Sequence, residues 1–201
     1  MDANNVTDNI KNTVGVVTDE KDIAKYTGHS CKNPADLKKF KDKFFKEWRC
    51  DLSLGEEVYV SSDTTPRRLE SGEFIVIHPG EFLLLLTKEN LKLDSDVMGF
   101  ISMRFDYKQK GLINVSGFHV DPNFEGKLIF SAFNAGPRDI ILREGDPVFM
   151  IFFERMGKCC EKKHPGFEHI PADMVEQIQG KSVTLSSNAQ RLERLEMYLK
   201  I

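Results

Sequence analysis

The sequence predicts a mainly β protein, an antiparallel barrel or jelly roll with a few flanking helices. Two observations carry that expectation. From Arg49 onward, nine short runs rich in branched and aromatic side chains succeed one another: CDLSLG, EVYVS, EFIVI, EFLLLLT, VMGFISM, GLINVS, KLIFSAFN, RDIIL and PVFMIFFE. Between them stand turn-forming clusters, among them Ser71-Gly72, His78-Pro79-Gly80, Asp121-Pro122 and Glu144-Gly145-Asp146, with no helical period in the gaps. Strands at that spacing without crossover helices close antiparallel rather than into a parallel sheet.

Taken in order, residues 1–17 are polar and rich in Asn, Asp and Thr, and are expected to form a flexible N-terminal arm. Residues 18–48 are expected to be helical. TDEKDIAKY, Thr18 to Tyr26, has Thr18 as a candidate N-cap and acids in its first turn. Asn33-Pro34 then starts an amphipathic helix of about four turns, with Leu37, Phe40, Phe44 and Trp48 on one face and Lys38, Lys39, Lys41, Lys43 and Lys46 on the solvated one. Residues 49–155 form the β domain. Phe82 to Leu86 and Val148 to Phe153 are apolar on both faces, so a second cover is expected there, and self-association supplies it economically. Residues 156–201 read as a lid of loop and short helix, followed by a helix with Leu192, Leu195 and Leu199 in a stripe that docks on the body or on a symmetry mate.

The 201-residue length suits one domain, and the net charge of −3 gives no global basic field, which argues against duplex nucleic acid or an anionic membrane surface as a partner. Cys31, Cys50, Cys159 and Cys160 lack a disulfide framework or metal-ligand spacing. With no signal-peptide order in MDANNVTDNIKN and no long apolar run, the expectation is a cytoplasmic protein with reduced thiols. HExxH, GxxxxGK[ST] and the HxE with PCxxC of zinc deaminases are all absent. Cys159-Cys160 with His164 lacks the further ligands a tetrahedral ion requires, and His164, like His78, precedes a proline in a turn where exposure is the ordinary outcome. Asp121, at the end of a strand-like run, is the foremost candidate for chemistry.

Five segments in register, CDLSLG, HPGEFLLLLT, MRFDYKQKGL, HVDPNFEGKL and REGDPVFMIFFE, resemble the superfamily that joins dUTPases and dCTP deaminases. The resemblance runs from Asp51 to Phe153 and implies a distorted jelly roll, a β-clip barrel of the dUTPase-like type, assembled as a homotrimer with sites at subunit boundaries. TDEKDIAKY and IQGKSVTLS are similar to the opening helix and closing lid of the deaminase branch.

The resemblance also implies roles. Asp121 matches the acid that orients the attacking water in dUTPases and helps to hold sugar and base in deaminases; His119 and Asn123 flank it as substrate-binding residues. Asp51 falls on an acid that sits near the triphosphate and its Mg2+, which would serve the metal indirectly. Arg104 matches the phosphate arginine, but Phe105 and Asp106 follow where the family has small hydroxyl residues, leaving Lys108 and Lys110 to supply charge. Ser131 stands where deaminases carry the proton-shuttling glutamate, and Gln179 and Lys181 lie in the lid. The expected activity is Mg2+-dependent hydrolysis of a deoxynucleoside triphosphate, pyrimidine preferred. A non-catalytic, nucleotide-sensing trimer is the alternative, and deamination of dCTP comes third.

Overall fold

The computed structural model describes residues 14–29 and 33–178, together with positions 192, 195 and 197. The strands are β1 (Gly15–Val16), β2 (Phe45–Lys46), β3 (Arg49–Val60), β4 (Arg67–Arg68), β5 (Phe74–Ile77), β6 (Phe82–Thr87), β7 (Leu91–Lys92), β8 (Val97–Met103), β9 (Leu112–Asn114), β10 (His119–Val120), β11 (Phe124–Gly126), β12 (Ile129–Asn134), β13 (Ile140–Arg143), β14 (Pro147–Arg155) and β15 (His164–Pro165). Four helices accompany them: α1 (Glu20–Tyr26), α2 (Pro34–Lys43), α3 (Phe105–Lys108) and α4 (Ala172–Ile178). The main sheet, ordered β10-β8-β14-β3-β6-β12-β9, is antiparallel throughout and curls into a half-barrel, with β5 and β13 forming a separate ribbon and β15-β11-β7 a small third sheet. The mainly β expectation is met.

CDLSLG and EVYVS are one strand, not two. In β3, Leu54 pairs with Thr87 and Val58 with Leu85, so three β3 residues pass a single β6 residue in a bulge that begins at Gly55. A Cβ on Gly55 would lie 2.7 Å from the Thr87 carbonyl oxygen and 2.9 Å from that of Leu86. From Cys50 to Ser53 β3 pairs with β14, and from Leu54, across the bulge, with β6, so a single strand ties the two halves of the sheet together. Leu52, Leu54, Val58, Leu83, Leu85, Phe130 and Phe149 fill the core beneath, the last two rings stacked with centroids 3.5 Å apart.

The arm expected to run to residue 17 ends in structure, since β1 pairs with β14 and the Val17 amide donates to Phe153 O at 2.8 Å. Helix α1 is capped by Asp19 rather than Thr18, its carboxylate accepting from the amides of Lys21 and Asp22. The Asn33 cap with Pro34 at the helix start is as expected, but α2 stops at Lys43. Phe45 and Lys46 turn back to pair with Cys50 and Arg49, and Glu47 takes a positive φ of 61° at the hairpin tip. The helical spacing that reached Trp48 was fortuitous: the residue belongs to the hairpin turn, its indole edge-on to Phe152.

The second face of β6 is covered by the chain itself. Leu84 and Leu86 pack with Tyr59, Ile170 and Val175 of α4, so no second subunit is needed at that place. On β14, Met150 and Phe152 remain partly open. Leu192 and Leu195 are helical and exposed, while Leu199 lies outside the described residues.

Glu89 is buried, and its carboxylate accepts the Ser53 amide at 2.8 Å beside the bulge. Burial pushes its carboxyl above the usual range, against the lowering effect of its Ser53 hydrogen bonds. A carboxyl with a raised folded-state value contributes stability at pH below the ordinary glutamate range and loses it as pH rises through the raised value. Glu89→Gln keeps an acceptor for Ser53 but cannot ionise. Its denaturant midpoint is therefore expected to lack the wild-type decline as the pH rises from 4 toward neutrality, about where a free glutamate titrates; parallel curves for the two proteins would show that Glu89 does not couple to folding.

Candidate functional site

The Asp121 turn leaves β10 and enters β11. Pro122 follows the acid, and Asn123 adopts φ 59°, a left-handed position that asparagine tolerates better than most residues. The Asn123 amide donates to Asp94 O at 3.3 Å. Asp94 is in turn held by Lys25 Nζ at 2.8 and 2.9 Å and by Tyr26 Oη at 3.0 Å, which fastens α1 beneath the turn. Partial burial alone would raise the Asp94 carboxyl, yet the hydrogen bonds from Lys25 and Tyr26 win and hold it below its ordinary value.

A segment C-terminal to the β domain lies across this turn. β15 pairs in parallel with β11, Phe124 opposite His164. The Asn123 side-chain amide donates to the carbonyls of Cys160 at 2.5 Å and Lys162 at 3.3 Å, the His164 amide donates to Asn123 O at 3.2 Å, and the Cys160 amide donates to Ser95 O at 2.7 Å. Two glycines permit the approach. A Cβ on Gly166 would stand 2.6 Å from Gly126 Cα, and one on Gly126 would stand 2.5 Å from Gly166 Cα. As a result Asp121 faces an imidazole on each oxygen, with Oδ1 3.6 Å from His119 Nε2 and Oδ2 3.4 Å from His164 Nδ1. The Asp121 side chain is 45% exposed and that of His164 27%.

A second cluster surrounds Arg104, where β8 ends and α3 begins. Asp51, buried on β3, has Oδ2 2.5 Å from Arg104 Nη1 and Oδ1 3.2 Å from Arg49 Nη1. Arg104 Nη2 also meets Asp106 Oδ2 at 3.1 Å. Lys108 Nζ donates to Ser102 Oγ at 2.7 Å, Lys110 Nζ lies 5.3 Å from the centroid of the Tyr107 ring, and Phe105 is 72% exposed. Both Asp51 oxygens are thus taken by guanidinium groups, and the described residues contain no group of three His, Cys, Asp or Glu side chains able to hold a metal ion. These residues do not fit a resident magnesium.

Of the residues singled out from sequence, the fold brings His119 and Asn123 to Asp121 and joins Arg104 to Asp51. Ser131 lies apart from both clusters, on β12 in register with Leu84 on the face that Ile170 and α4 cover. Gln179 and Lys181 are outside the described residues. Sequence reading missed the placement of His164, and it left the partners of Arg104 open. Gly166 after a His-Pro pair was the available signal for a close backbone approach, but nothing local names the strand approached.

The curled antiparallel half-barrel thus carries an acid on a strand-end turn and, separately, an arginine–carboxylate cluster. The sequence profile described as dCTP deaminase-like matches residues 39–156, more than half of the chain. The chain belongs to the dCTP deaminase-like family. It is 31% identical over 97 residues to the dCTP deaminase of Idiomarina loihiensis, covering 48% of this chain and 50% of that protein. It is 35% identical over 109 residues to the dUMP-forming dCTP deaminase of Methanosphaera stadtmanae, covering 54% and 53%. The crystal structure of 2'-deoxycytidine 5'-triphosphate deaminase from Agrobacterium tumefaciens superposes with a TM-score of 0.54 at 14% identity, over 71% of this chain and 49% of that one, a likeness of fold. The chain spans about half the length of these curated relatives.

Gly166→Ala tests the seating of the C-terminal segment. The added methyl meets the Gly126 backbone and the Phe124 ring, so a stability loss of roughly 1–3 kcal/mol is expected, with faster proteolysis between residues 157 and 166. Unchanged denaturation and cleavage would show that the contact is loose.

Proposed function

We propose that the protein is a deoxynucleotide-binding homotrimer that hydrolyses the phosphoanhydride of a deoxynucleoside triphosphate, pyrimidine preferred, with Asp121 as its central acid. The observation that carries this reading is the half-exposed carboxylate of Asp121, faced by an imidazole on each oxygen, in a chain of the dCTP deaminase-like family. A carboxylate so placed accepts a proton from an attacking water or a hydrogen bond from a sugar hydroxyl. In the hydrolysis the water oxygen bonds to phosphorus, the bond to the pyrophosphate leaving group breaks, and the water proton passes to the carboxylate. Mg2+ arrives with the triphosphate as part of the substrate. Arg104, Lys108 and Lys110 are assigned to the phosphates, His119 and Asn123 to the nucleoside, Ser131, which lies apart from Asp121 in its own chain, to the nucleoside of a neighbouring subunit's site, and Gln179 and Lys181 to the lid. Names of the relatives as dCTP deaminases support a pyrimidine base.

The trimer draws support from an outward row of rings, Trp48, Phe152, Phe100 and Phe118, with neighbouring centroids 5.2 to 6.4 Å apart and Phe118 67% exposed. A cytoplasmic location, with neither membrane nor duplex nucleic acid as partner, completes the proposal. No helix among the described residues is long and apolar enough to cross a membrane.

One observation favours a second reading, a nucleotide-sensing trimer without turnover. The Arg104 guanidinium is already satisfied by Asp51 and Asp106, and Phe105 occupies the adjoining surface. Deamination ranks third because Ser131 offers no proton-transferring acid.

Incubation with each deoxynucleoside triphosphate and Mg2+, followed by chromatography, separates the readings. A monophosphate with pyrophosphate is the expected result; a deaminated triphosphate would move the third reading to first, and no product together with no thermal shift would sink both enzyme readings. Asp121→Ala is expected to lower kcat by about 100-fold or more. Light scattering at micromolar concentration is expected to give the trimer mass, and a monomer would remove the interfacial site.

A further inference from the structure

We infer that His164 is the positioning residue of Asp121, so that the C-terminal segment and the catalytic acid form one unit built within a single chain. The inference rests on reading Asp121 as the central acid. Asp121 follows β10 directly, and nothing in the strand itself fixes the rotation of its carboxylate. Two imidazoles do so from different parts of the sequence, His119 from the same strand and His164 from the segment 43 residues beyond it. His164 is the better held of the two. Its ring is 27% exposed against 42% for His119, its backbone amide donates to Asn123 O, and its Cα is in register with Phe124. Those contacts place Nδ1 3.4 Å from Oδ2, a long approach short of hydrogen-bond alignment, of the kind that tightens when a substrate binds.

The geometry assigns opposite tautomers to the two rings. His164 presents Nδ1 to the carboxylate and so carries its proton there, leaving Nε2 free, whereas His119 presents Nε2 and keeps Nδ1 free. An imidazole against each oxygen restricts the rotation of the carboxylate, and each ring is placed to donate as its contact shortens around a bound substrate. Asn123 makes the arrangement cooperative, since its side chain binds the carbonyls of Cys160 and Lys162 while its own carbonyl takes the His164 amide. Release of the segment would therefore free Asp121 as well.

The test uses the full chain with 15N-labelled histidine. In neutral rings, the 15N resonances are expected to show His164 protonated at Nδ1 and His119 at Nε2, with both preferences lost in Asp121→Ala. A proton on Nε2 of His164, or spectra that Asp121→Ala leaves unchanged, would overturn the inference. This readout requires no turnover, so a protein that hydrolyses nothing but keeps the coupled tautomers would defeat the hydrolase reading and leave the pair standing. Where turnover is found, His164→Gln, whose amide nitrogen falls near the wrong ring position, is expected to lose roughly tenfold or more in kcat at little change in KM. His164→Asn, which places a donor near Nδ1, is expected to regain most of that loss. Equal losses in both variants, or a loss in KM alone, would reduce His164 to a structural residue.

Discussion

The bulge of β3 at Gly55 is the constraint on which the rest depends. One strand serves two half-sheets, and it changes partner from β14 to β6 where three of its residues pass one residue of the neighbour. The turn is made so closely that a Cβ on Gly55 would run into the carbonyl oxygens of Leu86 and Thr87. An irregular ladder leaves backbone donors to be satisfied elsewhere, and here the buried Glu89 carboxylate takes the Ser53 amide while Ser53 O accepts from Lys88 and Leu54 O from Gly145. A charged group is costly to bury, which is why burial dominates the raised Glu89 carboxyl. The half-sheet β10-β8-β14, which bears both the Asp121 turn and the Arg104 cluster, takes its orientation relative to the β6-β12-β9 half from this one crossing.

The same chain also supplies two covers that a mainly β body leaves wanting. Ile170 and α4 close the apolar face of Leu84 and Leu86, and the strand before them crosses the Asp121 turn. The two covers are consecutive in sequence, so the segment that buries hydrophobic surface also fixes the position of His164. Apolar burial of this kind contributes on the order of 1.5–3 kcal/mol per fully buried large side chain. That is ample to seat a short strand whose own contact with β11 is two residue pairs. Docking of α4 is thereby the energetic support for a polar cluster that has little apolar burial of its own.

The strands were legible because each depends on local composition and on punctuation that fixes where pairing stops. Asn33-Pro34 was legible for the same reason, its capping geometry lying within four residues. Thr18 and Asp19 are both good caps, and the choice between them turns on a carboxylate reaching two amides, which the residue types do not rank. Trp48 was misplaced because the periodicity of α2 continues past its end, whereas the Cys50 and Arg49 partners that pull Phe45 and Lys46 into a hairpin begin a different element. His164 was illegible for a deeper reason. A two-residue parallel pairing formed across the intervening β12, β13 and β14 leaves no period in the sequence, and its sole trace is a pair of glycines 40 positions apart.

Arg104 shows how an arginine can sit at a motif position and yet be electrically spent. Its guanidinium meets Asp51 and Asp106, and Arg49 shares the first of these, so the four side chains together carry no net charge. A triphosphate approaching this cluster gains attraction from Arg104 only by displacing a carboxylate. Asp51 is the poor candidate, since removing its partners would leave a buried charge uncompensated. Asp106, with its side chain 62% exposed, is the replaceable one. Under the proposed function, a phosphate reaching Arg104 would have to exchange with Asp106, while Lys108 and Lys110, held by a serine hydroxyl and a tyrosine ring, would keep their charge available.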